Sequence, residues 1–329
     1  MKIIRFFLLL VHIGILFLLL GTTLNAYIPP KVFPYTNLLS LGFPILLVVY
    51  CILIIFWALF WKKRTFFFLG MLLFFITPIK RWINFSNENQ DIPNLKIITL
   101  NVKGGNLGKQ KVEEFLNKEK ADIVLLQEDS GRKFNIESLS LNKVTSILSM
   151  YTHYPILDNK ILVEGDRKKN NAFITQTDLE INGKVYRIIN SYLQPFKFEK
   201  KLVKIDGDTA EDKQTLRYII RKLIPTFKIH QTQADIINDA IAQSPYPIIV
   251  AGDFNSVPNS YEYYKVNEKL KDAFVEVGKG SGTSFHDYKF PIRIDYIFAS
   301  ESILPITYKV DRKEKISDHY PVIATFKMP

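Results

Sequence analysis

Two long uncharged stretches near the N-terminus constrain this chain more than any other feature. Phe6 to Ile28 runs 23 residues without Asp, Glu, Lys or Arg, and Leu38 to Trp61 runs 24. Each exceeds the roughly 20 apolar residues that a helix needs to cross a bilayer core, where every backbone polar group must find its partner within the segment. Pro29, Pro30 and Pro34 lie between them, in a stretch that can continue neither helix. A single soluble globular domain is therefore excluded. A third run, Thr65 to Ile79, has 15 residues. At about 1.5 Å per residue it covers roughly 22 Å, short of a hydrocarbon core near 30 Å. Lys80 and Arg81 can snorkel and extend it through Trp82, Ile83 and Phe85; the alternative is a helix lying in the interface.

The expected organisation is an anchor over residues 1–85 with three spans (about 6–28, 38–61 and 65–83), a polar linker over 86–93 and a soluble domain over 94–329. The n-region charges fit a signal peptide. Two further apolar stretches and the lack of a clean Ala-x-Ala site favour an uncleaved anchor instead. Trp57, Trp61 and Trp82 sit within or at the ends of the runs, as interfacial anchors do. Lys2 and Arg5 precede the first span and Lys62-Lys63-Arg64 separates the second from the third, so the positive-inside rule places both in the cytoplasm. Three spans then deliver a multi-pass protein with its domain outside the cytoplasm, with Lys80 and Arg81 as a mild counter-argument. Two spans would leave the domain inside.

The net charge of +11 invites a nucleic-acid reading, but its distribution weakens that. Residues 1–83 hold no acid and eight of the 43 Lys and Arg, so the remaining 35 face all 32 acidic groups, a net of +3. The only cysteine, Cys51, falls in the second span, which leaves the domain without a disulfide, thiolate nucleophile or thiolate metal site.

Short β-rich runs punctuate the domain at 95–100, 123–126, 185–189, 248–251, 294–298 and 322–326. Val112, Phe115 and Leu116 give one helix face, and Phe227, His230, Ala234, Ile237 and Ile241 another. Polar residues fall where the strands end: Asn101, Gln127-Glu128, Asn190 with Tyr192, Asp253 with Asn255, and Asp318-His319 before the last strand. Singly, each is explained as a turn residue or a strand meeting water. Together and in order they suggest a pocket at one rim of a sheet core.

The ordered set LNVKGG, LLQE, NSY, GDFN, RIDYI and SDHYP resembles the endonuclease/exonuclease/phosphatase superfamily, the deoxyribonuclease-I-like fold, over residues 94–328. GDFN with SDH is specific in combination; the Asn and Glu motifs alone are weak. Preceded by apolar spans, the chain looks like a membrane-anchored bacterial member. The resemblance implies an α/β fold, a two-sheet β-sandwich flanked by helices, and cleavage of phosphoester bonds with Mg2+ (or Mn2+). A hard divalent cation takes oxygen ligands and keeps several waters; Glu128 is the first choice, with Asn101 beside it and Asp318 as a third. Asp253 then falls to the base that activates water for in-line attack. Asn255 holds the phosphate, His319 donates to it or protonates the leaving group, and Asp295 orients that imidazole. An alternative pairs Asp295 with its neighbour Arg293 at the surface. Asn190 is a further substrate contact.

One departure stands out: many members carry Asn-x-His where this chain has Asn190-Ser191-Tyr192. The superfamily's abasic-site nucleases also have tyrosine there, so catalysis need not be lost. A phenol can donate to phosphate but is no cation at neutral pH; the alternative is that Tyr192 only packs. His12, His153 and His230 are read as structural, and His286 as near the substrate at most. The substrate class is a nucleic acid or a phospholipid in the adjoining bilayer, and no feature calls for an obligate protein partner. Basic runs at Arg167–Lys169, Lys197–Lys204 and Lys213–Lys222 suit solvent or a polyanion such as lipid headgroups. The opposing class is a non-catalytic, membrane-tethered binding module that kept the fold.

Overall fold

The computed structural model describes residues 2–166, 170–196, 209–287 and 291–329. The basic runs at 167–169 and 197–204 lie outside the described residues.

The N-terminal third is a helical bundle. Helix α1 (Lys2–Thr23) continues through a 3-10 turn, Leu24–Ala26, and a proline loop returns the chain into α2 (Tyr35–Phe60). Then follow α3 (Lys62–Leu72), a 3-10 turn at Leu73–Phe75, and α4 (Ile76–Lys80). The third run thus starts three residues before the uncharged stretch and is interrupted rather than continuous. Pro78 lacks the N–H that would bond back toward this turn, which accounts for the break. Among the described residues, α1 with its turn and α2 are the helices long and apolar enough to cross a membrane.

Inside the bundle, Trp57 Nε1 donates to His12 Nδ1 at 2.9 Å, His12 stacks on Phe68 and Tyr50 donates to the Phe68 carbonyl. The outside is apolar: Phe6, Phe7, Phe17, Ile52, Ile55, Phe66 and Phe74 are all exposed. Arg64 donates to the Arg5 carbonyl at 3.5 Å, so Lys2, Arg5, Lys62, Lys63 and Arg64 lie at the end remote from residues 24–37 and 80–83, where Lys31, Lys80 and Arg81 fall.

The domain is a two-sheet sandwich. Its elements are β1 (Ile83–Phe85), β2 (Leu95–Asn101), α5 (Lys109–Glu119), β3 (Ile123–Gln127), β4 (Ser140–Asn142), β5 (Ser149–Thr152), β6 (Ile156–Val163) and β7 (Phe173–Ile181). Next come β8 (Lys184–Tyr192), α6 (Thr209–Ala242), β9 (Ile248–Asp253), α7 (Tyr261–Asn267), β10 (Lys271–Asp272) and α8 (Ala273–Val277). The chain ends with β11 (Lys279–Ser281), β12 (Asp295–Ala299), β13 (Leu304–Val310) and β14 (Val322–Lys327). One sheet runs β13-β14-β2-β3-β5-β4, the other β10-β12-β9-β8-β7-β6, and β1 pairs with β11 outside both.

Strand alternation builds the core. Ile97, Ile123 and Leu125 face Ile188, Ile249 and Ile297 between the sheets. Ile98, Val124 and Leu126 turn outward onto Val112, Phe115 and Leu116 of α5, and Ile189 and Val250 pack on Ile237 and Ile241 of α6. Each sheet contains one parallel pair, β2/β3 crossed by α5 and β8/β9 crossed by α6. In register, Asn101 lies beside Gln127, and Asp253 lies between Tyr192 and Asp295. Two crossovers thus bring four strand ends to a single rim, where ligand sites of parallel strands form.

Candidate active site

Backbone geometry at the rim turns side chains off the strand ends. Glu128 and Asn255 have φ of 52° and 45°, left-handed values that lift each residue out of the pleat just past β3 and β9. Gly252 has φ 139°, and a Cβ there would meet the Ser191 carbonyl oxygen at 2.0 Å, so the Gly-Asp-Phe-Asn turn requires glycine.

Six of the residues singled out in the sequence converge. Asn101 Nδ2 donates to Glu128 Oε1 at 2.9 Å and to Asp253 Oδ2 at 3.0 Å. Asn255 donates its backbone N–H to Asp253 Oδ1 at 2.8 Å and its Nδ2 to the Leu193 carbonyl at 2.9 Å. His319 Nδ1 lies 2.8 Å from Asp295 Oδ2, and its Nε2 lies 3.7 Å from Asp253 Oδ2. Asp253, Asp295 and His319 are all buried. The second oxygen of Asp295 is buried with no hydrogen-bond partner.

The electrostatics follow from burial. Desolvation, reinforced by Asp295, pushes the Asp253 carboxyl up to about 7 against the pull of His319 and Asn101. Burial alone would lower the His319 imidazole, but the charges of Asp295 and Asp253 outweigh it and raise it to about 10. His319 is therefore an imidazolium at neutral pH, held between Asp295 and Asp253. The Asp295–Arg293 pairing does not form. Arg293 is fully buried and makes a two-pronged pair with Asp272, at 2.7 and 2.6 Å, away from His319.

Tyr192 gives its O–H to Glu128 Oε1 at 2.7 Å rather than holding it free for a phosphate. Burial, with Glu128 and Asp253 nearby, keeps that phenol well above its ordinary range. Asn190 points inward: its Nδ2 donates to the Leu126 and Ser149 carbonyls and its Oδ1 accepts from Gln127, so its side chain ties the two sheets together. Asp318 Oδ2 pairs with Lys103 Nζ at 2.5 Å. His286 Nε2 lies 3.0 Å from the Ser317 carbonyl, His230 is buried in the flank of α6, and the His153 ring lies tilted beside Tyr154.

Three supporting residues escaped the sequence reading. Lys103, with φ 45°, reaches Asp318 and, at 3.4 Å, Asp287. It lies within LNVKGG, where its charge between an amide and two glycines was the available signal. Ser284 Oγ accepts from the Asp295 N–H at 3.0 Å, and the Phe285 ring lies edge-on to His319 at 4.8 Å. Neither had a signal in the sequence. Beside Glu128 opens a recess of about 250 Å³ lined by Ser130, Ile147, Asn171, Phe173, Tyr192 and Pro195.

The sequence profile of the Endonuclease/Exonuclease/phosphatase family matches residues 98–319, which include every one of these side chains. The chain belongs to this family. As a member it is a hydrolase acting on phosphoester bonds. A second profile, described as a domain of unknown function, matches residues 5–82, the helical bundle. No curated protein matches the sequence.

Among solved structures, the human Nocturnin catalytic domain with bound sulfate shares the fold: TM-score 0.50 and 14% identity, covering 73% of this chain and 96% of that one. The 3'-5' exonuclease NExo from Neisseria meningitidis gives 0.47 and 18%, covering 71% and 100%. Danio rerio (D. rerio) TDP2 complexed with a single-strand DNA product gives 0.46 and 17%, covering 71% and 99%.

Proposed function

We propose that the chain is a membrane-anchored, divalent-cation-dependent phosphodiesterase whose domain lies outside the cytoplasm. The observation that carries the chemistry is the buried Asp295–His319–Asp253 line, with His319 bonded through Nδ1 and its Nε2 turned toward Asp253. A merely retained fold has no need to bury two carboxylates around an imidazolium, a costly arrangement unless its charges are used. The non-catalytic module is set aside on that ground.

Glu128 and Asp253 both aim a carboxylate oxygen at one neutral amide, that of Asn101. Glu128 is met by neutral donors, the Asn101 amide and the Tyr192 hydroxyl, and that suits it to a hard cation; Glu128 with Asn101 would hold it, Tyr192 fixing the Glu128 carboxylate. The Asp253–Asp295–His319 group also has ligand-like spacing, but its imidazole already has a proton partner and Mg2+ favours oxygen. Bound there, the cation would polarise the phosphoryl oxygen and offset developing charge. Asp318, engaged by Lys103, is a weaker third ligand.

Asp253 accepts the proton of the attacking water and Asn255 steadies the phosphoryl group. His319, already protonated, hands its proton to the departing alkoxide, and Asp295 fixes the ring and stabilises the cation. Every part of that sequence uses a group within the one rim.

Membrane insertion is supported by the apolar exterior of the bundle. The clustering of Lys2, Arg5 and Lys62–Arg64 at the end away from the domain supports an extracytoplasmic site. The full chain in detergent, assayed on single- and double-stranded DNA, RNA, sphingomyelin and phosphoinositides with Mg2+ or EDTA, tests the activity. Turnover that ignores EDTA refutes the cation's part. A reporter fused after residue 90 tests sidedness, and cytoplasmic reporter activity refutes the topology.

A further inference from the structure

The bundle is not a loose tether, and where it docks bears on what the site can reach. Asn25, just past α1, is buried and donates to the Asn259 carbonyl at 2.8 Å. Asn37, in the first turn of α2, accepts from the Tyr261 N–H at 2.7 Å and donates to the Glu262 carboxylate at 3.0 Å. Arg81 donates to Asn259 Oδ1 at 2.9 Å and lies over the rings of Tyr263 and Tyr264. Its carbonyl accepts from Arg293, and the Trp82 carbonyl from Gly282.

All these domain residues leave Asp253 and Asn255 or lead into Asp295. The helix ends therefore meet the same rim that holds the site. Asn255 and Asn259 are four residues apart, at most about 14 Å of chain. A second path runs from Glu262 to His230 at 3.2 Å, from His230 to the Gln194 carbonyl at 2.6 Å, and from the adjacent Leu193 carbonyl to Asn255. The expected linker is bonded too: Ser86 to Val275, Asn89 to Ile306 and Asn94 to Phe326 carry it along the sandwich to its far rim, where β2 begins.

Around the junction, Tyr27, Val32, Phe33, Tyr35, Ile83 and Phe85 are exposed. Such an aromatic and apolar belt marks the level of the lipid headgroups. The headgroup layer adds roughly 5–8 Å beyond the hydrocarbon on each side. That level puts the junction at the bilayer surface and the site, which adjoins it in the chain, close by. A net of +3 over residues 84–329 supplies little of the phosphate attraction on which nucleic-acid binding depends.

Resting on the phosphodiesterase reading, we propose that the substrate is a phospholipid of the leaflet in which the chain is anchored. Water oxygen forms a bond to the headgroup phosphorus while one phosphorus–oxygen ester bond breaks. The water proton passes to Asp253 and the leaving alkoxide takes the proton of His319, giving an alcohol and a phosphate monoester.

The test reconstitutes the full chain in vesicles of phosphatidylcholine and phosphatidylglycerol with Mg2+. Phosphorus NMR follows the lipids, alongside added single-stranded DNA and soluble bis(4-nitrophenyl) phosphate. Lipid turnover at least about 100-fold above DNA turnover is expected from colocalisation in the bilayer. Hydrolysis of the soluble ester or DNA with every lipid intact overturns the lipid substrate and leaves the phosphodiesterase standing. Hydrolysis of nothing overturns both. Independently, on a Cys51→Ser background, a fluorophore at Leu107→Cys, on the site rim, should be quenched more by headgroup-labelled lipid than one at Lys184→Cys on the far rim. Equal or reversed quenching overturns the orientation.

Discussion

Replacing Asp295 by Asn isolates the role of one charge. The Asp295 carboxylate sits 2.8 Å from His319 Nδ1, and both residues are nearly inaccessible, at 1% and 4%. A hydrogen bond to a charged group is worth about 1.5–3 kcal/mol net. If it serves the imidazolium that delivers the leaving-group proton, kcat should fall by about 10–150-fold, at about 1.36 kcal/mol per decade. The pH profile supplies a sharper reading. Asp295 is the leading influence among those that raise His319 to about 10. An acid must be protonated to act, so activity is lost as pH rises through its pKa. Removing the carboxylate lowers that pKa and moves the alkaline limb of kcat toward neutrality. The assay is hydrolysis of a soluble short-chain phospholipid, whose leaving alkoxide needs a proton, by the detergent-solubilised full chain at saturating Mg2+, with circular dichroism to verify folding. A folded Asp295→Asn protein with kcat within twofold of the parent and an unmoved alkaline limb would refute the reasoning.

Other outcomes follow from the same geometry. Tyr192→Phe removes one hydrogen bond to the charged Glu128 carboxylate, worth about 1.5–3 kcal/mol, so the Mg2+ concentration for half-maximal rate should rise about 10–150-fold with kcat at saturation little changed. Arg293→Met strands buried Asp272 and should cost about 3–5 kcal/mol in urea unfolding, because a buried charge loses its partner. Burial would raise the Glu262 carboxyl, but His230 and Asn37 overcome that and hold it below its usual range. Its stabilising effect is then complete above the ordinary carboxylate range and fades as pH falls through the depressed value. Glu262→Gln should therefore lower Tm at neutral pH and converge with the parent in acid.

The domain's layout was legible because its strands are short apolar runs ending in acids or amides. All six expected strands form, and the two helical faces lie in α5 and α6. Strand β7 was less visible, since Thr, Gln and Asp at 175–178 are buried by pairing and not by apolar content, and β6 is mostly exposed. Asp253, His319 and Asp295 were readable as a group only through the motif resemblance. Nothing local distinguishes Asp295 from a partner of Arg293; the sheet register that seats it beside Asp253, and the Asp272 that takes Arg293, are tertiary facts. Asn190 shows the converse, a polar strand-end residue whose amide serves the interior. The anchor's docking was hidden for the same reason. By sequence Asn25 falls within the first expected span, Asn37 just before the second and Arg81 near the end of the third, until the fold sets them against Asn259 and Glu262.

The most direct test of the central claim is hydrolysis of a soluble phosphodiester by the full chain in water enriched in heavy oxygen, comparing the parent with Asp253→Asn and His319→Ala. Mg2+-dependent turnover that places one heavy oxygen in the phosphate product, and that falls by at least about 100-fold in each folded variant, is the predicted result. Turnover that persists undiminished in both variants, or none by the parent on any phosphodiester, would contradict it.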